Sequence, residues 1–433
     1  MMDKGVYNEL QAVDKQAQGA FNCNIIADEI LSQHKLIFSA GDFYEYLGGY
    51  YKRIDISELR RYVKSALGGK YSSYRANEVI DSIRTEIYVR PDELNNTNLI
   101  NLKNGLFDIE TETLSPHVPE VFSTIQLSVN YNKEAGCTKW LDTIYQIFEK
   151  NESKIEILQE FFGLCLTKEV KYEKALFMIG EGSNGKSTVL YILRQVLGQE
   201  NTIAVPLEKL SNYHYVASVF NKLANISIET HAKSSVYDST FKAIISGDSL
   251  TADPKYRAPF SFTPCCKLIY ALNNMPRVDD KTDAFYRRLL ILRFNKQFSE
   301  EEANKNLKDE LLEELDGIFL WMIEGYRNLK KRGYFAIDEN MRQEISEYRS
   351  ENNNVLLFVE EECELHPDHT LSKADLYEQY ISWCQRNGHR GLSHTKFGKE
   401  LRKQYRQIQD IRDNKGNKAW AGIAFSSLLN RPI

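Results

Sequence analysis

Four short apolar runs recur through the middle of the chain, separated by longer stretches of mixed character. They are Ala175–Ile179, residues 223–228, Lys267–Leu272 and residues 289–294. Continuous apolar runs of this length are typical of strands that are buried on both faces of a sheet. The intervals between them are long enough for crossover helices, so the pattern predicts a parallel sheet in an α/β fold.

A helix is predicted directly after the first run. Its apolar residues keep the spacing of one buried helix face, and Gly198 supplies the stop. The turn between strand and helix reads GEGSNGKST and fits the pattern G-x-x-x-x-G-K-S. Glycines in such a turn let backbone N–H groups point at phosphate oxygens, next to the positive end of the helix dipole.

This turn predicts a site for a nucleoside triphosphate, with ATP and Mg²⁺ as the expected ligands. Lys186 can reach the β and γ phosphates, and the Ser187 hydroxyl can ligate magnesium. A chance glycine-rich loop is the alternative. The predicted nucleotide-binding residues are Gly180, Gly182, Ser183, Asn184, Gly185, Lys186, Ser187 and Thr188.

Polar residues follow the second and third apolar runs. Glu229 ends the second run, where a carboxylate could activate water and support magnesium, and Asn273 ends the third, where an amide could hold that water. A strand-end acid facing solvent is the alternative for Glu229. The predicted magnesium site therefore comprises Ser187 and Glu229.

Two basic groups lie between and after these strands. Residues 246–262 predict a β-hairpin with Lys255, Tyr256 and Arg257 at its tip, a combination suited to DNA phosphates and to stacking; a solvated turn is the alternative. Arg287 and Arg288 precede the fourth run, from which an arginine could reach a neighbouring subunit's γ-phosphate. Salt-bridged surface arginines are the alternative there.

The flanking regions predict further elements. Before the first run the pattern indicates a hairpin at 43–55, helices at 57–67 and 74–87, strand–turn–strand at 99–117 and helices within 140–166. The acidic, helical residues 299–364 predict a lid and connector. Beyond them the chain turns basic.

The last segment predicts helix, turn, helix and hairpin, which is a winged-helix plan with residues 393–405 as recognition helix. A small packing domain with a basic surface is the alternative. The predicted DNA contacts here are Lys396, Lys399, Arg402, Lys403 and Lys415.

The motifs GEGSNGKST, NISIE, SGDSLTADPKYR, LNNMP and RRLLILRF occur in this order. Together they resemble superfamily 3 helicases of the phage and plasmid primase-helicase group, which is related to poxvirus nucleoside triphosphatase-primases. The segment LINLKNGLFDIETETLSPH is similar to the domain that precedes the helicase in that group. The resemblance covers roughly residues 40 to 300.

The resemblance implies an AAA+ core, a homo-hexameric ring, ATP hydrolysis between subunits and 3′ to 5′ unwinding of single-stranded and forked DNA. By motif match Lys186 and Ser187 would bind phosphate and magnesium, Glu229 would be the Walker B acid and Asn273 the sensor. Arg288 would be the first choice for the arginine acting in trans, with Arg287 second. Lys255 and Arg257 would contact DNA.

Two departures from the family pattern stand out. Many relatives carry two adjacent acids at the Walker B position, whereas Ile228 precedes Glu229 here. The sequence therefore leaves open which group holds the water molecules around the magnesium ion. The residues ahead of the core are too few for a polymerase-type site as well, so a separate primase or polymerase is expected as partner.

The implied domains are an α+β N-terminal domain (1–135), a helical neck (136–170), the AAA+ core (171–300), the helical lid and connector (301–364) and a winged-helix-like DNA-binding domain (365–433).

Composition adds few constraints. The net charge of -5 and the pI near 6.0 exclude a uniformly basic surface, but a ring channel or one basic module can still bind DNA. Seven cysteines without a C-x-x-C pair predict reduced thiols, and the start of the chain has no apolar signal region, so a cytoplasmic protein without membrane contact is expected. A zinc set of Cys363, His366, His369 and Cys384 is conceivable from spacing alone.

The leading interpretation is an ATP-dependent hexameric DNA helicase in replication of a phage, plasmid or mobile element. The alternative is an origin-binding AAA+ initiator or remodelling ATPase that uses ATP as an assembly switch. A P-loop kinase for small molecules is a third possibility, which gives the arginines before the fourth run no role.

Overall fold

The computed structural model describes residues 21–228, 238–253, 259–276, 283–412 and 416–426. At the N-terminal end three helices pack on a three-stranded antiparallel sheet around a core that includes Ala27, Leu59 and Val79. The second and third strands form the hairpin predicted at 43–55, with Gly48 and Gly49 at positive φ in its turn. The elements are α1 (Cys23–Gln33), β1 (Leu36–Ser39), β2 (Asp42–Tyr46), β3 (Tyr51–Ile54), α2 (Ile56–Leu67) and α3 (Ser73–Glu86).

A second antiparallel sheet and two helices lead to the central sheet. The strands are β4 (Ile100–Leu102), β5 (Gly105–Asp108) and β6 (Thr113–Ser115); the helices are α4 (Thr138–Ile147) and α5 (Glu152–Cys165). Leu102 and Phe107 share one hydrophobic core with Trp140 and with the central sheet. The domain boundary at residue 135 stays a prediction, and the largest core of the described residues crosses it.

The central sheet is five-stranded and parallel, in the order β13 (Leu289–Arg293), β7 (Ala175–Ile179), β12 (Lys267–Leu272), β9 (Ala224–Ile228), β8 (Thr202–Ile203). Both faces are covered, because Leu176 and Met178 point into one core while Phe177 and Ile179 point into another. This explains the apolar runs without alternation. The elements are β7 (Ala175–Ile179), α6 (Lys186–Leu197), β8 (Thr202–Ile203), α7 (Tyr213–Ala217), β9 (Ala224–Ile228), α8 (Asp238–Ser246), β10 (Leu250–Ala252), β11 (Phe260–Phe262), β12 (Lys267–Leu272), α9 (Asp283–Tyr286) and β13 (Leu289–Arg293).

After the sheet the chain returns to the helices that precede it. Helix α11 (Leu315–Arg332) crosses α5 very closely. A Cβ on Gly163 would lie 2.2 Å from the Met322 carbonyl oxygen, and a Cβ on Gly325 would lie 2.4 Å from the Gln159 carbonyl oxygen. The crossing therefore requires glycine on both helices. The elements are α10 (Leu307–Leu312), α11 (Leu315–Arg332), α12 (Glu339–Glu351) and α13 (Asn354–Glu362).

Carboxylates near the start of α11 hold the entry to α4. Glu314 accepts hydrogen bonds from the backbone N–H groups of Lys139 (3.0 Å) and Trp140 (2.9 Å), and Asp316 accepts one from the N–H of Asn130 at 2.8 Å. The first turn of α4 is thus capped by a residue far along the chain instead of by its own N-cap, Cys137.

The C-terminal part has a core of its own that includes Tyr380, Trp383, Phe397 and Trp420. Helix, helix and hairpin follow in the predicted order, while the winged-helix interpretation stays a prediction. The elements are β14 (Cys363–Glu364), β15 (Thr370–Ser372), α14 (Lys373–Arg386), α15 (His394–Gln404), β16 (Gln409–Arg412), β17 (Lys418–Ala421) and β18 (Ala424–Phe425). Of the helices described, none is both long and apolar enough to cross a bilayer.

Candidate functional site

The predicted phosphate-binding loop joins β7 to α6 at the carboxyl edge of the sheet. The N–H of Gly180 donates to the carbonyl of Leu272 at 3.1 Å, which ties the loop to the neighbouring strand. A Cβ on Gly180 would lie 2.5 Å from the carbonyl oxygen of Phe294, so only glycine fits there. Gly185, at φ +87°, precedes Lys186, the first residue of α6. The loop therefore has the predicted strand–turn–helix context.

Lys186 is folded back onto its own loop. Its Nζ donates to the carbonyl oxygens of Gly180 (2.5 Å) and Glu181 (3.0 Å) and to Oδ1 of Asn184 (3.0 Å). Burial lowers the pKa of Lys186 from its ordinary value, since the charged ammonium loses hydration. The oxygens of an anion bound in the loop could replace these acceptors and give the ammonium group a partner of opposite charge.

The remaining loop residues leave room for an anion. Ser187 is exposed at the first turn of α6, where its hydroxyl can reach a metal ion bound to phosphate. No atom lies within 4 Å of a Cβ built on Gly182. Asn184 is buried and donates to the carbonyl of Phe294 at 3.3 Å, which fixes the loop from below. Ser183 is exposed and Thr188 is half-buried. These features fit a triphosphate and its magnesium ion.

Three strand ends meet beside the loop. Leu272 pairs with Ile179, and Ala271 pairs with Ile228, so β7, β12 and β9 end at one edge. Asn273, the next residue after β12, is exposed at this edge. Glu229 follows Ile228 in sequence but lies outside the described residues.

A cavity of about 490 Å³ opens next to the loop, between α4 and residues 298–307. The N–H of Phe298 donates to the carbonyl of Ser183 at 2.8 Å. Ile147 packs beneath Gly185, where a Cβ would meet its Cδ1 at 2.6 Å. None of the predicted site residues lies in the helical neck (136–170), yet Thr143 and Gln146 of α4 line this cavity. Only the apolar stripe of α4 could have hinted at this contact.

The two predicted trans arginines lie at the opposite edge of the sheet, before β13. Arg288 is only 9% exposed: its Nη2 lies 2.7 Å from Glu173 Oε2 and donates to Ser246 Oγ at 2.9 Å, and its Nη1 donates to the carbonyl of Ala284 at 2.7 Å. Arg287 is 65% exposed. Arg288 is thus held inside its own chain while Arg287 is accessible; which of the two acts in trans stays a prediction.

Arg287 also lines a basic cavity of about 630 Å³. Burial and the neighbouring Arg287 and Arg288 lower the pKa of Lys174 to about 8. The cationic residues of the lining are Lys171, Lys174, Arg287 and Arg342, and within the described part of the chain no carboxylate is among the lining residues.

The predicted DNA contacts divide between described and undescribed residues. β10 and β11 form an antiparallel pair, and Phe220 packs on Phe260 and Phe262 at its base. Thus the base of the predicted hairpin is present. Its tip, with Lys255, Tyr256 and Arg257, lies outside the described residues, as does Lys415.

On α15, Phe397 and Leu401 are buried, and the four predicted cations lie exposed on the other face. These cations, the basic face of α15, are Lys396, Lys399, Arg402 and Lys403. The set Cys363, His366, His369 and Cys384 forms no group that could hold a metal ion, nor does any other combination of the described His, Cys, Asp and Glu side chains.

Three family models match successive parts of the chain. The model "D5 N terminal like" matches residues 27–149, and "Poxvirus D5 protein-like" matches residues 350–418. Between them a "Family of unknown function (DUF5906)" matches residues 178–288, which contain the phosphate-binding loop, Asn273 and both arginines.

Curated relatives are viral proteins named "putative helicase". One from Acanthamoeba polyphaga mimivirus is 22% identical over 395 residues, which cover 84% of this chain and 41% of the relative. One from Sputnik virophage is 22% identical over 340 residues, covering 67% of this chain and 43% of the relative. The chain thus spans less than half the length of these relatives.

Solved structures of the C-terminal region of NrS-1 share the fold. One apo form superposes with a TM-score of 0.57 at 12% identity, covering 92% of this chain and 98% of that one. Another gives a TM-score of 0.55 at 11% identity with the same coverage. The D5-type matches on both sides of the central sheet, together with the viral relatives named as helicases, identify this chain as a relative of the D5-like primase-helicase family.

Proposed function

We propose that this chain is the ATP-hydrolysing part of a DNA helicase that acts in replication. One observation carries the proposal: Lys186, Ser187 and the exposed Asn273 lie at a single sheet edge, where an open glycine loop begins a helix. The viral relatives are named as helicases, which supports the proposal, although these proteins are longer than this chain. AAA+ architecture, a homo-hexamer and 3′ to 5′ polarity are the finer parts of the proposal, taken from the resemblance.

In this proposal the loop N–H groups and the positive end of α6 hold the phosphates of ATP, and Lys186 exchanges its loop acceptors for phosphate oxygens. Magnesium, when bound through Ser187 and supported by Glu229, would neutralise charge on the β and γ phosphates. Asn273 would orient the attacking water. The nucleoside would lie in the cavity next to the loop, against Thr143 and Gln146, which line it.

The opposite sheet edge supports a site shared between two copies. Arg287 is exposed there within a cationic cavity, whereas the loop lies at the other edge of the same sheet. One copy cannot bring both edges together, but a ring of copies can, so Arg287 of one copy would stabilise charge on the triphosphate held by the next. Arg288 would position the segment through Glu173 and Ser246.

The experiment is ATP hydrolysis by Lys186→Ala, with Lys70→Ala as a matched control on an exposed surface lysine. We expect hydrolysis to be lost in the first variant and kept in the second, with both variants folded by circular dichroism. Unchanged hydrolysis in Lys186→Ala would refute the assignment of the site.

An initiator or remodelling ATPase is the second candidate, favoured by the basic face of α15, which suits site-specific binding to duplex DNA. Strand displacement on forked DNA separates the two functions. Displacement that needs ATP supports the helicase. ATP-dependent binding to DNA without displacement supports the initiator.

A further inference from the structure

Helix α12 contacts both ends of the segment that joins Asn273 to the trans arginines. The hydroxyl of Tyr348 donates to the carbonyl of Pro276 at 2.5 Å, just beyond Asn273. The Nη1 of Arg349 lies 2.8 Å from Oδ1 of Asp283, the first residue of α9. Since Arg287 directly follows α9, neighbouring residues of α12 hold the segment on its Asn273 side and on its arginine side.

The same arginine also contacts α15. Its Nη2 donates to Oε1 of Gln404 at 2.9 Å. Gln404 in turn donates to Glu400 Oε1 at 2.7 Å, and Asn353 donates to the same oxygen at 2.9 Å. Glu400 and Gln404 lie on the inner side of α15, away from its basic face.

A guanidinium has a rigid, planar set of donors, so its two bonds cannot adjust independently. If α15 shifts relative to α12, Arg349 either loses its hydrogen bond with Gln404 or moves together with Asp283. Its Nε is buried without a hydrogen-bond partner and its side chain is 34% exposed, whereas Asp283 is 75% exposed, so water can replace the bond more easily on the Asp283 side than on the arginine side. Arg349 therefore links α15 to α9 through one side chain.

We propose that Arg349 is a positioning residue that couples DNA phosphates bound on the basic face of α15 to the segment carrying Asn273 and Arg287. This inference rests on the proposed function. It predicts that DNA changes the rate of ATP hydrolysis. It also predicts that a bound ATP analogue changes the affinity for DNA by the same factor by which DNA changes the affinity for the analogue, because coupling between two binding sites is reciprocal.

The test uses two substitutions that interrupt the bridge formed by Arg349. Gln404→Leu removes the contact on α15 and leaves Arg349 paired with Asp283, while Arg349→Lys keeps the charge but loses the fork. Gln407→Leu, an exposed glutamine just after α15, is the matched control. ATP hydrolysis is measured with and without a single-stranded oligonucleotide, and DNA affinity is measured with and without a non-hydrolysable ATP analogue.

We expect both test variants to keep the basal rate of hydrolysis, and the factor by which the ATP analogue changes DNA affinity to fall about fivefold, at the lower end of typical coupling between binding sites. The effect of DNA on the rate of hydrolysis should shrink in the same variants, whereas Gln407→Leu should match the wild type. A merely structural contact would lower the melting temperature or the basal rate without changing these ratios.

Three results would count against the proposal in different ways. Unchanged ratios in both variants would overturn the role of Arg349. A wild-type chain that hydrolyses ATP at the same rate with and without DNA would overturn the coupling while leaving the ATPase assignment intact. A wild-type chain without hydrolysis would refute the proposed function on which the inference rests.

Discussion

Adjacent arginines before β13 should respond in opposite ways to truncation. Arg288→Ala deletes a buried side chain that pairs with Glu173 and bonds Ser246 and the carbonyl of Ala284. Arg287→Ala deletes a side chain that is 65% exposed and lies 3.8 Å from Glu173. The two substitutions are chemically identical and one residue apart, so any difference between them reports their surroundings.

The structure sets the size of each effect. Hydrogen bonds to a charged group contribute roughly 1.5–3 kcal/mol each, but Glu173 is 39% exposed and can recover water, which reduces its share. We expect Arg288→Ala to lower the free energy of unfolding by about 2–4 kcal/mol. Arg287→Ala should stay within about 0.5 kcal/mol of the wild type, as exposed substitutions do. A trans arginine typically accelerates phosphoryl transfer by about 10³-fold or more, so Arg287→Ala should abolish measurable hydrolysis.

Urea denaturation and ATP hydrolysis, measured on the same preparations at concentrations that allow assembly, test both expectations. Mixing Arg287→Ala with Lys186→Ala provides a further control, because a site shared between copies should regain some hydrolysis in mixed rings. Wild-type stability of Arg288→Ala would refute the role of its buried contacts. Normal hydrolysis by Arg287→Ala would refute its action across copies.

Three further outcomes are expected. Gly163→Ala should destabilise the fold by about 1–3 kcal/mol in denaturation experiments, because its Cβ would meet backbone atoms of α11, whereas Gly69→Ala, whose Cβ meets nothing within 4 Å, should be neutral. The pKa of Lys174 is lowered from its ordinary 10.5 to about 8, so between these pH values the unfolded chain binds more protons than the folded chain. The free energy of unfolding should therefore rise with pH across this window, and it should rise less steeply in Lys174→Met. Lys399→Ala should weaken DNA binding and reduce the slope of log affinity against log salt by about one, while a salt slope equal to the wild type's would exclude a phosphate contact.

The strands of the central sheet were predictable because burial on both faces leaves a local signature. β7 and β12 coincide with the predicted runs, and β9 and β13 differ from them by one residue at one end. The phosphate-binding loop was predictable for a related reason: its glycines, Lys186 and Ser187 act through backbone conformation and helix position, which neighbouring residues determine.

Contacts between distant segments could not be predicted in this way. Sequence alone cannot tell which of Arg287 and Arg288 is accessible. Arg288 is buried because it contacts Glu173 and Ser246, and both of these residues lie far from it along the chain. Helix packing likewise determines that Thr143 lines the cavity and that Arg349 contacts Gln404. None of these three residues belongs to a motif that stands out along the chain.

The cap on α4 has a consequence for how the protein is made. The carboxylate that satisfies the first turn of α4 belongs to Glu314, 175 residues after Lys139. During synthesis α4 and the apolar side of α5 therefore emerge from the ribosome long before α11 exists to complete them. A nascent chain that has passed β13 still exposes the surface that α11 will cover, so a chain that ends prematurely at this stage is expected to aggregate.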